Sequence, residues 1–150
     1  MSKPGASGPR VVVAGLGDSG LLTAVRLAWS RAIGEVVGIS AKQALVSGQE
    51  LGTRLARPDD WARDYWIGFE RFRGLDRVRT VHGALTGLDL GTRTVQVTGA
   101  DGSTQVEPYD VLVVATGVTN GFWRRPDVQS EEQVADELRA AHERLASAGS

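Results

Sequence analysis

The sequence predicts an α/β fold, a parallel sheet flanked by helices with an antiparallel β-meander, and three observations carry that expectation. A β-branched run at Arg10 to Val13 breaks into glycines at the mouth of an apolar helix. A second uninterrupted apolar run, Val111 to Val114, ends in the small residues Ala115-Thr116-Gly117. Between the two lie short segments of alternating polarity separated by turn residues.

Composition sets the outer bounds. The chain of 150 residues is 41% hydrophobic and 23% charged, enough for one domain with a real core. A net charge of −1 gives no global field to attract nucleic acid or an anionic membrane surface. The absence of cysteine excludes a redox-active disulfide, a thiol nucleophile and a thiolate metal site. His82 and His142 stand far apart and make no metal-ligand pattern. Met1 to Pro9 is rich in Gly, Ser and Pro without an apolar stretch, so it reads as a disordered leader rather than a signal peptide, and residues 10–150 as the domain. No apolar run approaches the length of a membrane span, and a cytoplasmic location is the expectation.

Taken in order, Val11 to Val13 form a buried strand, and Ala14 leads into Gly15, Gly17 and Gly20 at G-x-G-x-x-G spacing. The three glycines serve different ends. Gly15 permits the tight turn, Gly17 lets backbone approach a pyrophosphate, and Gly20 lets the next helix lie close to the strand. The first-turn amides near Asp18, Ser19 and Gly20, at the positive end of the helix dipole, favour an anion. Leu21, Ala24, Val25 and Ala28 share the helix's apolar face, and a second strand runs from Glu35 to Ile39. At its end Ser40 takes the place where a carboxylate would grip the ribose hydroxyls of a dinucleotide. Lys42, two residues on, reads equally as a phosphate ligand or a solvated lysine.

A loop at Ser47-Gly48 leads to a short helix through Leu51, Leu55 and Ala56, carrying Arg54 and Arg57. Pro58, Asp59 and Asp60 end that element and cap the next. Trp61, Tyr65, Phe69 and Phe72 then recur at helical spacing with Trp66 beside them, an aromatic wall that either packs on the sheet as core or lines a pocket for a flat apolar substrate. Val78–Val81, Ala84–Leu90, Thr92–Thr98 and Thr104–Val106 read as strands of an antiparallel meander, with turns at Gly91 and Asp101-Gly102. The chain returns through Tyr109-Asp110 to Val111–Val114, expected as an interior parallel strand of the first sheet. Last, Ser130-Glu-Glu-Gln133 is a capping box opening a helix whose stripe of Val134, Leu138, Ala141 and Leu145 needs the sheet or a partner to cover it.

GLGDSG at Gly15–Gly20, GALTGLDL at Gly83–Leu90 and YDVLVVATG at Tyr109–Gly117, in this order, resemble the amino-terminal part of FAD-dependent pyridine nucleotide oxidoreductases. The nearest look is to ferroptosis-suppressor-like and apoptosis-inducing-factor-like flavoproteins and type II NADH dehydrogenases. The resemblance implies a Rossmann-like FAD/NAD(P)-binding fold. It implies that Gly15, Gly17, Asp18, Ser19 and Gly20 hold the FAD pyrophosphate, that the backbone at Leu85 reads the adenine, that Ala115, Thr116 and Gly117 close on the cofactor, and that Arg54 contacts the flavin nucleotide. Ser40 departs from the acidic ribose ligand of the family. In the family a second glycine-rich domain binds NAD(P)H and a later segment returns to the FAD, so these 150 residues look like the first FAD-binding segment alone, with both of those parts absent.

The implied activity is hydride transfer from NAD(P)H through FAD to an acceptor such as a quinone, with no acid, base or nucleophile nominated in this part. Two rivals stand beside it. The same turn could take NADP(H), with Ser40 and Lys42 receiving the adenosine phosphate, or the chain could be a non-enzymatic nucleotide-binding or scaffold fragment that needs a partner chain. Self-association or a partner chain through the C-terminal helix is expected, because nothing in the order of residues supplies cover for that stripe or for the aromatic segment.

Overall fold

The computed structural model describes residues 8–46, 51–117 and 127–148, apart from the side chains of Leu51, Thr53, Arg54 and Tyr65. At its centre, β1 (Arg10–Ala14), β2 (Glu35–Ser40), β5 (Val78–His82) and β9 (Val111–Val114) form a parallel sheet in the order β5-β2-β1-β9. Val12 pairs with Val37 and with Leu112, and Val36 with Val78. Helix α1 (Asp18–Ala28) is the crossover from β1 to β2.

The strands' alternation divides the core in two. Val11, Val13 and Val36 face α1, where they meet Leu16, Ala24 and Leu75. Val12, Val37, Ile39 and Val81 point to the other face and meet Val95 and Val97 of the meander. That meander is a sheet of β6 (Ala84–Asp89), β7 (Thr94–Thr98) and β8 (Thr104–Pro108), all antiparallel. Val95 and Val97 are buried while Gln96 between them is exposed, as a strand with one wet face requires. The layers are therefore helix, parallel sheet, meander.

A third cluster lies apart from these two cores. Helices α2 (Leu51–Ala56), α3 (Pro58–Tyr65) and α4 (Glu131–Ala148) pack together, with Trp61, Val134 and Leu138 buried among them. The capping box of α4 forms as expected: Ser130 N–H donates to Gln133 Oε1 at 2.8 Å and Gln133 N–H to Ser130 Oγ at 3.2 Å.

An ion cluster ties the start of the parallel sheet to the meander. Glu107 of β8 is only 6% exposed and accepts from Arg10 of β1 and Arg79 of β5, while Glu35 of β2 joins the same two arginines at 3.3 and 3.1 Å. Burial alone would raise the Glu107 carboxyl, but hydrogen bonds and charge from Arg79, then the charge of Arg10, outweigh it and hold the group below the ordinary glutamate range.

Six expectations need correction. The strand at Val78 belongs to the parallel sheet and not to the meander, since it pairs with β2 in parallel register. Val111–Val114 is parallel but lies at the edge, with Val111 47% and Val114 69% exposed and no strand beyond it among the described residues. The aromatic wall divides. The helix ends at Tyr65, Ile67–Gly68 pair as β4 with Ala44–Leu45 as β3, and Trp61 is left with α4 while Phe69 and Phe72 pack beneath α1. The stripe on α4 packs on Trp61 rather than on the sheet, and of its four residues only Leu145 stays exposed. Arg57, not an aspartate, is the N-cap of α3; Asp59 and Asp60 sit in its first turn and pair with Arg139 and Arg63. Of the residues expected in a leader, Gly8 and Pro9 are described, and the Pro9 carbonyl accepts from Gly34 N–H at 3.0 Å, which joins Pro9 to the domain. The loop at Ser47-Gly48 lies outside the described residues.

Candidate functional site

The carboxyl ends of β1 and β9 meet in a backbone interlock. Gly15 N–H donates to the Ile39 carbonyl and Ala115 N–H to the Ala14 carbonyl, each at 2.8 Å. Gly15 has φ +96°, and a Cβ there would overlap the Ala115 carbonyl. A Cβ on Gly20 would overlap the Gly15 carbonyl and touch the Ala115 side chain at 3.1 Å. The first and third glycines thus let strand, helix and the Ala115-Thr116-Gly117 turn close on one another. Gly117, at φ +72°, ends that turn.

Gly17 is different. It is exposed, it is the N-cap of α1, and a Cβ placed on it would have no atom of the described residues within 4 Å. No side chain caps this helix end, and Asp18 and Ser19 beside it are exposed, with the Ser19 carbonyl accepting from Thr23 Oγ1 at 2.7 Å. The spacing of the three glycines therefore separates two internal packing positions from one that borders open space. A phosphate fits such a place: the helix end lacks a cap and space stands over its first turn.

One strand over, Ser40 closes β2. Its Oγ accepts from Lys42 N–H at 3.3 Å and its carbonyl from Gly83 N–H at 2.9 Å. Both Ser40 and Lys42 are half-buried. Leu85 is half-buried in the group formed by Val81, Val95 and Val97, so its side chain belongs to the core between sheet and meander. The Arg54 side chain lies outside the described residues. Gly15, Gly17, Gly20 and the Ala115–Gly117 turn are brought together, with Ser40 on the neighbouring strand.

Three supporting contacts had no signal in the sequence that would single them out. Leu16, between the first two glycines, fills the space left by Gly38, where a Cβ would lie 2.8 Å from its methyl carbons. The segment after Ser40 is pinned twice through the Ala41 carbonyl, by Gln129 N–H at 3.1 Å and by His82 Nε2 at 3.3 Å. Gln43 Nε2 then donates to His82 Nδ1 at 3.0 Å, which fixes the ring with Nε2 as the donor. Next to these residues lies a cleft of about 720 Å³ lined by Gln43, Trp66, Arg71, His82 and Gln133, so one member of the aromatic segment does border a pocket.

The chain matches no protein-family model and no curated protein. Solved structures do share its architecture: the chain has a Rossmann-like α/β fold, the fold of a set of pyridine nucleotide and quinone oxidoreductases. Among them, sulfide:quinone oxidoreductase from Aquifex aeolicus is 20% identical with TM-score 0.59, the match covering 91% of this chain and 32% of that one. NDH2 from Plasmodium falciparum gives TM-score 0.60 at 13% identity, over 88% and 28%. An NAD-dependent persulfide reductase from A. fulgidus gives 0.56 at 23%, over 87% and 27%. What is shared at these identities is the fold, and this chain spans between 22% and 34% of the length of the solved chains it matches.

Proposed function

We propose that the chain is the FAD-binding portion of an NAD(P)H-dependent flavoprotein oxidoreductase, passing hydride from NAD(P)H through FAD to an acceptor such as a quinone. The observation that carries this reading is the contrast within one motif: Gly15 and Gly20 are locked against the Ala115 turn, whereas Gly17 borders open space at an uncapped helix end. Backbone amides at Gly17, Asp18, Ser19 and Gly20 would hold the pyrophosphate, and Ala115, Thr116 and Gly117 would flank it with small side chains. Ser40 would bond the ribose hydroxyls, and Leu85 and Arg54 would contact the adenine and flavin nucleotide. When bound, the flavin supplies the hydride chemistry, and the residues of this chain orient it.

A second reading, NADP(H) in the same turn, draws support from the end of β2. A hydroxyl stands there in place of a carboxylate, and the half-buried Lys42 follows two residues later. Competition separates the two. Purified protein should show the visible absorption of bound flavin after incubation with FAD and dialysis, and excess NADPH should not displace it. Displacement of FAD by equimolar NADPH would favour the second reading.

A further inference from the structure

The outer stripe of α1 plays no part in the crevice. Leu22, Arg26 and Trp29 recur at i, i+4 and i+7, turned away from the buried Ala24, and Leu22 and Trp29 are 59% and 58% exposed. The short 3-10 turn Arg73–Arg77 packs alongside: a Cβ on Gly74 would touch Val25 at 2.8 Å, and Arg77 Cζ lies 4.1 Å from the centroid of the Trp29 ring. Arg26, Arg73 and Arg77 are all exposed, and among the described residues no carboxylate pairs with them. The acids nearby in sequence are Asp76 within the turn, Glu70 just before it and Asp18 at the start of α1, against the further exposed arginines Arg31 and Arg71. A chain of net charge −1 therefore gathers positive charge around two projecting apolar side chains.

We propose that this face binds the surface of an anionic lipid bilayer, with Leu22 and Trp29 entering the headgroup region and Arg26, Arg73 and Arg77 on the lipid phosphates. The stripe is the convex outside of a helix, and neither of the clefts lined by His82 includes these side chains. An amphipathic Trp ring and a Leu a few residues away, flanked by arginines, are what the interface between headgroups and acyl chains accepts. The proposal does not depend on the identity of the nucleotide.

Co-sedimentation of the full 150-residue chain with vesicles tests it. Binding is expected to vesicles of phosphatidylcholine with phosphatidylglycerol, to be much weaker to phosphatidylcholine alone, and to fall as salt rises. Replacing Arg26→Gln and Arg73→Gln together should weaken binding roughly thirtyfold, about fivefold per arginine. Leu22→Ser with Trp29→Ser should remove it while the melting temperature holds, since both side chains are exposed. Failure to sediment with anionic vesicles at low salt, or binding that none of these changes alters, would overturn the proposal. So would binding to polyglutamate without binding to vesicles, which would give the face to an acidic protein.

Discussion

At the scale of the residue, the three glycines of one motif make different predictions. Gly20→Ala puts a methyl group into the Gly15 carbonyl, and with backbone on one side and the Ala115 methyl on the other no flexible atom is there to yield. It should destabilise the fold by about 1–3 kcal/mol or more, read as a lowered denaturation midpoint. Gly17→Val meets no atom, and φ −74° suits a β-branched residue, so its cost should stay near or below about 1 kcal/mol, the scale of exchanging one N-cap residue for another. An equal loss of stability in both variants would show that the open space at Gly17 is misassigned. Ser40→Asp should tighten FAD, because a carboxylate accepts both ribose hydroxyls with its charge, and should weaken NADPH by repelling its phosphate. Tighter NADPH binding by that variant, measured by titration, would remove Ser40 from the ribose position.

At the scale of the element, the sequence was most legible where periodicity and chemistry coincide. The first strand, its helix, the glycine turn and the α4 capping box all lie where the residues place them. Alternation does not say which neighbour a strand takes, and so Val78–His82 reads as meander while it pairs in parallel with β2. An all-apolar run reads as covered on both sides, and nothing in Val111–Val114 reports that β9 stands at the end of the described sheet. Trp61, Tyr65, Phe69 and Phe72 keep helical spacing across a point where the chain leaves the helix for β4, so a period that looked continuous serves two separate cores. The ion cluster was illegible for a related reason: Arg10, Glu35, Arg79 and Glu107 are far apart in sequence and meet only through the strand order.

That cluster carries the pH prediction. The Glu107 carboxyl is held low in the folded state, so its contribution is fully present above the unfolded glutamate value of about 4.5 and is lost as pH falls through the lower folded value. Glu107→Gln should cost about 1–3 kcal/mol at neutral pH, leaving Arg10 and Arg79 with Glu35 as their one shared anion, and the difference from wild type should shrink in acid. Melting temperatures measured from neutral pH down to about pH 3 decide it. A gap between the two proteins that stays constant over that range would contradict the assignment.

At the scale of the whole molecule, the sequence carries one glycine-rich turn that leads from a strand into a helix, at Gly15–Gly20. The glycines at 83–91 and 99–102 lie in and between the strands of the meander, with no helix start beside them. One turn holds one dinucleotide, so the 150 residues alone should not bring a nicotinamide against a flavin. With added FAD and a soluble quinone, consumption of NADH or NADPH should not exceed that of free FAD. Turnover clearly above that control would mean that a second nucleotide site exists within these residues. Trp61 covers Val134 and Leu138 of the α4 stripe within the chain, while Leu145 of the same stripe stays exposed. No helix among the described residues is long and apolar enough to cross a membrane.

The central claim is that a dinucleotide lies over Gly17 at the start of α1, and titration of FAD into wild type and Gly17→Val, side by side, tests it most directly. The wild-type chain should bind FAD saturably, and the variant, folded with nearly the same melting temperature, should not bind, because valine occupies the space the pyrophosphate needs. Undiminished FAD affinity in the folded variant would contradict the claim.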